Sequence, residues 1–150
     1  HELRFARCCY DHLAGQVGVA VTQGMLEQGF LLESDEREYV LTRRGTEWLQ
    51  SLNPPAGEPC LHDHLQARRC LDWTERQHHI AGPLGTHLLE TFCQLGWLRR
   101  TAGSRAVHGS GSGWRAFKLH LGIEHLRHLE APLHAVTPAR KTLMPAPIAS

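Results

Sequence analysis

Between Asp11 and Gln28 the apolar residues Leu13, Val17, Val21, Met25 and Leu26 recur at helical spacing. Asp11 is placed to cap the start of that helix, and Gly29 to end it. Apolar and polar positions then change period. Phe30-Leu31-Leu32-Glu33 and Glu38-Tyr39-Val40-Leu41 read as two short strands around the charged turn Ser34-Asp35-Glu36-Arg37. A second helix opens at Thr42-Arg43-Arg44-Gly45, with Thr42 as its N-cap. Helix, two-stranded wing and Leu-Thr-x-x-Gly together form the closing half of a winged-helix unit.

The pattern then begins again. Cys9-Tyr10-Asp11 is echoed by Cys70-Leu71-Asp72, and Ala14-Gly15 with Gly18 by Ala81-Gly82 with Gly85. Gly29-Phe30-Leu31 likewise returns as Gly96-Trp97-Leu98. Ile80, Leu84, Leu88, Leu89 and Phe92 form the second helical stripe. Asp72 and Glu75 stand at capping-box spacing ahead of it. Trp97 to Arg100 and Arg105 to Val107 predict a second wing. There the Leu-Thr-x-x-Gly ending has eroded to Gly109-Ser110-Gly111-Ser112-Gly113, which predicts a mobile segment before a helix over Trp114 to Leu129.

Such internal repetition sets the architecture. The expected class is α+β and mostly helical, with two degenerate winged-helix-like repeats, each a long helix followed by a β-hairpin wing and a helix. The first unit spans 1–53. Residues 54–69 are a linker and short helical piece, because Asn53-Pro54-Pro55-Ala56-Gly57-Glu58-Pro59 cannot continue a helix. The second unit spans 70–130, and 131–150, with four prolines, reads as a disordered tail.

Composition narrows the function. Sixteen basic against fifteen acidic side chains leave a formal charge of +1, with no clustered basic face for nucleic acid within this segment. No run of about 18 apolar residues crosses a membrane. The start, His1-Glu2-Leu3-Arg4, has neither an initiator Met nor a signal-peptide core, which predicts a fragment or processed product. Five cysteines, an odd number without the spacing of a disulfide framework, predict reduced thiols in a cytoplasm.

The candidate chemistry lies at the two Cys-x-Asp motifs. On a helix, Cys9 and His12 would share one face. Thiolate and imidazole suit zinc or another thiophilic ion, with Asp11 as an oxygen ligand and Cys70 and Asp72 completing the site if the two units pack together. The plainer reading makes Asp11 and Asp72 helix caps and the cysteines small, buried and inert. Thiol redox sensing is the third reading. Cys60, His62 and His64 form a weaker second cluster after the linker. His78-His79 reads as a helix-surface pair, and Cys93 as core. Trp48, Trp73, Trp97 and Trp114 can line an apolar pocket or simply fill the core. A Cys-His pair without a third orienting group or a phosphate loop argues against an enzyme.

The phrases Leu3-Arg4-Phe5-Ala6-Arg7-Cys8-Cys9-Tyr10-Asp11-His12-Leu13-Ala14-Gly15 and Cys70-Leu71-Asp72-Trp73-Thr74-Glu75-Arg76 resemble a branch of the ArsR-type winged-helix transcriptional regulators, over roughly residues 3–123. Cys8 stands where that motif has Thr, so Cys9 and Cys70 carry the family positions. The resemblance implies the C-terminal effector-sensing and dimerising region of a bacterial regulator. DNA would then be bound through an upstream domain that this sequence lacks, and the effector response would run through metal or thiol oxidation at Cys9 and Cys70. The alternative is a purely structural dimerisation module.

Overall fold

The computed structural model describes residues 2–9, 11–35, 37–52 and 65–124. In chain order the elements are α1 (Glu2–Phe5), β1 (Arg7–Cys9), β2 (His12–Ala14), α2 (Gly15–Glu27), β3 (Leu31–Glu33), β4 (Glu38–Leu41) and α3 (Arg43–Ser51). They continue with β5 (Ala67–Leu71), β6 (His78–Ala81), α4 (Gly82–Gln94), β7 (Leu98–Arg100), β8 (Val107–Gly109) and α5 (Gly111–Leu121). Helices and antiparallel pairs share the described residues, so the class is α+β.

Most of the elements predicted from periodicity form, with shifted bounds. The second wing's outer strand is Val107–Gly109 rather than Arg105 to Val107. The last helix starts at Gly111 and stops at Leu121, where Gly122 takes a left-handed cap, short of Leu129. The first wing is β3–β4, with Leu31 opposite Leu41 and Glu33 opposite Tyr39. Thr42 caps α3, its hydroxyl accepting from the Gly45 amide at 3.0 Å. The glycine-serine segment forms the end of β8 and the first turn of α5. Ser110 caps α5 as Thr42 caps α3, accepting from Gly113 N at 2.9 Å. A hydroxyl followed three residues later by glycine suffices for the cap, whatever precedes it.

Two departures define the site. Asp11 does not cap a helix, because β2 intervenes and α2 begins only at Gly15, with Ala14 as an N-cap that makes no side-chain bond. Likewise Asp72 and Glu75 start no helix; they lie in the connection between β5 and β6. The described part of the short helical piece around residues 61–69 is strand from Ala67. The linker at 53–59 and the tail from 131 lie outside the described residues.

The strands pair across the two halves of the chain. In the four-stranded sheet the order is β3-β4-β5-β6, so β5 of the later half extends the wing of the earlier one. In return β1 meets the second wing through an Arg7–Ala106 bridge, Cys8 N donating to Arg105 O at 2.8 Å and Val107 N to Ala6 O at 3.2 Å. Helix α2 packs on β6 and α4 on β2. The core between them is built from Val17, Val21 and Met25 on α2 and Leu84, Leu88, Leu89 and Phe92 on α4, closed by Phe117 and Leu121 of α5. Each such side chain contributes roughly 1.5–3 kcal/mol on burial. No helix among the described residues is long and apolar enough to cross a membrane.

Candidate metal centre

Cys9 and His12 are cross-strand partners in the β1–β2 pair, and Cys70 and His79 are cross-strand partners in β5–β6. Opposed residues of an antiparallel pair carry side chains on the same face. Each pair therefore presents one thiol and one imidazole together. Where β2 and β6 pack, the two sets meet, and the donor atoms of Cys9, His12, Cys70 and His79 all lie within 4.8 Å of one another. The two histidines are buried and the two cysteines half-buried. The imidazoles face each other with Nε2 atoms 3.0 Å apart and ring centres 4.9 Å apart.

Behind each imidazole stands a carboxylate. Asp11 Oδ1 is 3.4 Å from His12 Nδ1, and Asp72 Oδ2 is 3.2 Å from His79 Nδ1. The second contact has ion-pair distance without the alignment of a full hydrogen bond, which leaves His79 Nδ1 otherwise unpartnered. The two carboxylates differ in setting. Asp11 is exposed. Asp72 is fully buried beside a buried Arg7, whose Nη2 donates to Oδ1 at 3.2 Å. Oδ1 also accepts from Thr74 N at 3.0 Å, Thr74 Oγ1 at 2.7 Å and Glu75 N at 3.1 Å. Oδ2 accepts from Gly15 N at 2.7 Å, so Asp72 caps α2 from across the molecule. Gly15 is required there: its φ is +77°, and a Cβ would stand 2.6 Å from Arg4 O.

The electrostatics follow. Burial alone would raise the Asp72 pKa, but the donors from Thr74, Gly15, Glu75 and Arg7 outweigh it and hold the carboxyl far below the usual range. Burial and the neighbouring His12 push His79 down to about 4. Burial also lowers His12, partly offset by Asp11. The Cys70 thiol is raised by burial and then by Cys9 beside it. Asp11 is lowered by a hydrogen bond from Thr86 and another from His12. A cleft of about 600 Å³, lined by Asp11, His12, Arg68, Thr86, His87 and Glu90 among others, opens from His12 to solvent.

Of the residues picked out in sequence, Cys9, His12 and Cys70 are brought together through strand register rather than a helix face. Asp11 and Asp72 stand behind the histidines rather than among the converging donors. His79, read from sequence as a surface residue, is instead the fourth donor. The signal was present: His12 precedes Leu13-Ala14-Gly15 as His79 precedes Ile80-Ala81-Gly82. Cys60, His62 and His64 lie outside the described residues. Cys93 is partly buried against the core, as expected. Trp48 and Trp114 are buried, but Trp73 is 68% exposed under the Arg7 guanidinium and lines no interior pocket.

In sequence the chain is similar to an HTH-type transcriptional regulator. That protein, the uncharacterised YdfF of Bacillus subtilis (strain 168), is 41% identical over 123 residues, a match covering 82% of this chain and 54% of the relative. The chain thus spans about half the length of the curated relative it matches. No family model and no solved structure matches the chain.

Proposed function

We propose that this chain is the effector-sensing and dimerising region of a bacterial DNA-binding transcriptional regulator of the ArsR type. Its two halves, 1–53 and 70–130, act as degenerate winged-helix-like units. A domain outside this sequence reads DNA, and the protein works as a homodimer. The regulator class is supported by the similarity to YdfF and by the two quoted motifs. The observation that carries the sensing role is the convergence of Cys9 and His12 from one half with Cys70 and His79 from the other. Metal binding or thiol oxidation there changes how β2 packs on β6, and that repacking reorients the DNA-binding domains.

One observation favours the structural alternative: burial keeps the Cys70 thiol protonated, and a protonated thiol is a poor nucleophile. The deciding measurement is operator affinity of the intact regulator, by fluorescence anisotropy, with and without metal or oxidant. Cys9→Ser and Cys70→Ser are each expected to abolish the effector-dependent change. Variants that release DNA as the unsubstituted regulator does would leave only the structural module.

A further inference from the structure

We infer that Cys9, His12, Cys70 and His79 form a closed tetrahedral site for a borderline divalent cation of the zinc class, with Asp11 and Asp72 as outer-shell acceptors that fix the two imidazoles. This deepens the sensing reading, resting on it for the biological role but not for the chemistry.

Geometry is the first support. A tetrahedral zinc with about 2.0–2.1 Å to nitrogen and about 2.3 Å to sulfur sets its ligand atoms roughly 3.3–3.8 Å apart. The four donors already lie within 4.8 Å of one another, and the two Nε2 atoms stand 3.0 Å apart. Closing on an ion requires a few tenths of an ångström of opening between the rings and a small inward movement elsewhere. Each half contributes one sulfur and one nitrogen already aligned by strand register. The ion therefore meets a prepared site, not an unfolded segment.

Proton placement is the second support. An imidazole that faces a carboxylate through Nδ1 carries its proton there and leaves Nε2 as a bare lone pair. Both histidines have a carboxylate within 3.4 Å of Nδ1, at ion-pair distance only for His79. With both Nδ1 protons turned to them, the two Nε2 lone pairs would face the same space from 3.0 Å apart. Two neutral rings resolve this only if one shifts its proton to Nε2 and leaves its carboxylate facing a bare nitrogen. A cation between them removes the conflict, and both carboxylates keep their donors.

Charge is the third support. Two thiolates and a divalent cation sum to zero, and Asp72 is already balanced by the buried Arg7. The closed centre buries no net charge. Two sulfurs with two nitrogens select zinc-like ions over the oxygen-seeking magnesium and calcium. With four protein ligands no position stays open for substrate, which marks a clamp between the halves rather than a catalytic metal. The cleft beside Asp11 and Arg68 gives the ion its route to His12.

The test is a titration of the purified, fully reduced chain with Co²⁺, followed by visible and near-ultraviolet absorption. One equivalent is expected to give the intense ligand-field bands of a tetrahedral ion and sulfur-to-cobalt charge transfer, both bleached by one equivalent of Zn²⁺. Cys9→Ser and His79→Ala should each abolish that spectrum while far-ultraviolet circular dichroism shows the fold kept. Asp11→Asn, at the exposed carboxylate behind His12, should retain the tetrahedral spectrum with affinity lowered about 10–100-fold. Cys60→Ser should leave it unchanged. No Co²⁺ uptake by the reduced chain, an octahedral spectrum, a spectrum indifferent to His79→Ala, or one lost with Cys60→Ser would each overturn the site. Should the ion bind as described while DNA release ignores Cys9 and Cys70, the sensing reading fails and the site stands. If no ion binds but those serines still abolish release, the site fails and thiol sensing stands.

Discussion

At the scale of single residues, Asp72 shows what a sequence can and cannot say about a carboxylate. Its spacing to Glu75 correctly implies that it accepts a backbone donor three residues on, and the Glu75 N bond at 3.1 Å is there. The same local bond serves a turn as well as a helix start, and here it holds the β5–β6 connection. What local spacing carries no trace of is the partner 57 positions away, the Gly15 amide at the start of α2. Arg7 is similar: in a lead-in that mixes Glu2, Arg4 and Arg7 with apolar residues, nothing hints that Arg7 will be 1% exposed against Asp72. Asp72→Asn would leave the buried guanidinium uncompensated and turn an amide donor toward existing donors. A loss of about 3–5 kcal/mol is expected, read from denaturant unfolding of the metal-free chain. A loss under about 1 kcal/mol would mean that water reaches the pair.

At the scale of elements, the wings and the two thirteen-residue helices were legible because their periodicities run over enough residues to be read. The paired strands β1–β2 and β5 were not. Three to five residues mixing Arg, Cys and His have no clean alternation; β5 takes its order from β4 of the opposite half, and β1–β2 from each other and from the packing of α4 on β2. Reading Cys9 and His12 as helix neighbours named a pair that does lie together, but through another geometry, since positions three apart also face each other across a tight hairpin. The glycines Gly18 and Gly85 make the helix-on-strand packing possible. A Cβ on Gly85 would stand 2.5 Å from Ile80 O and 3.1 Å from His12 Cβ, and one on Gly18 would stand 2.6 Å from Leu13 O and 3.7 Å from His79 Cβ. In an open helix, Gly→Ala gains up to about 1 kcal/mol. Here the steric term opposes that gain, and overpacking costs about 1–3 kcal/mol. Gly85→Ala should therefore lower the unfolding midpoint. Gly111→Ala, whose Cβ meets nothing closer than an arginine nitrogen at 3.6 Å, should leave it level or raise it. If Gly85→Ala stabilised the chain, α4 could not be packed this tightly on β2.

At the scale of the whole molecule, the halves exchange contacts in both directions, and a second junction lies away from the thiols. Trp48 on α3 donates its indole N–H to His120 Nδ1 on α5 at 3.1 Å, and Trp97 stacks on the same imidazole with ring centres 5.4 Å apart. Trp48 in turn stacks on Phe30 at 4.8 Å. His120 thus joins the aromatic clusters of the two halves, and it does so only as a neutral ring, because a protonated Nδ1 cannot accept the indole proton. Burial holds its pKa below the ordinary 6.5. The unfolded chain therefore takes up this proton at a higher pH than the folded one. The stabilisation is complete above about 6.5 and declines as pH falls from there toward the depressed folded value. His12 and His79 are shifted in the same direction and add to the acid slope, so the informative quantity is a difference between two proteins. Unfolding midpoints measured from pH 7.5 to 5 should fall more steeply for the unsubstituted chain than for His120→Gln, whose amide oxygen accepts the Trp48 proton without titrating. Parallel slopes would remove His120 from the junction and leave the acid slope to the other titrating contacts between the halves, such as His12 with His79 at β2–β6 and His108 with Glu2 at 2.9 Å.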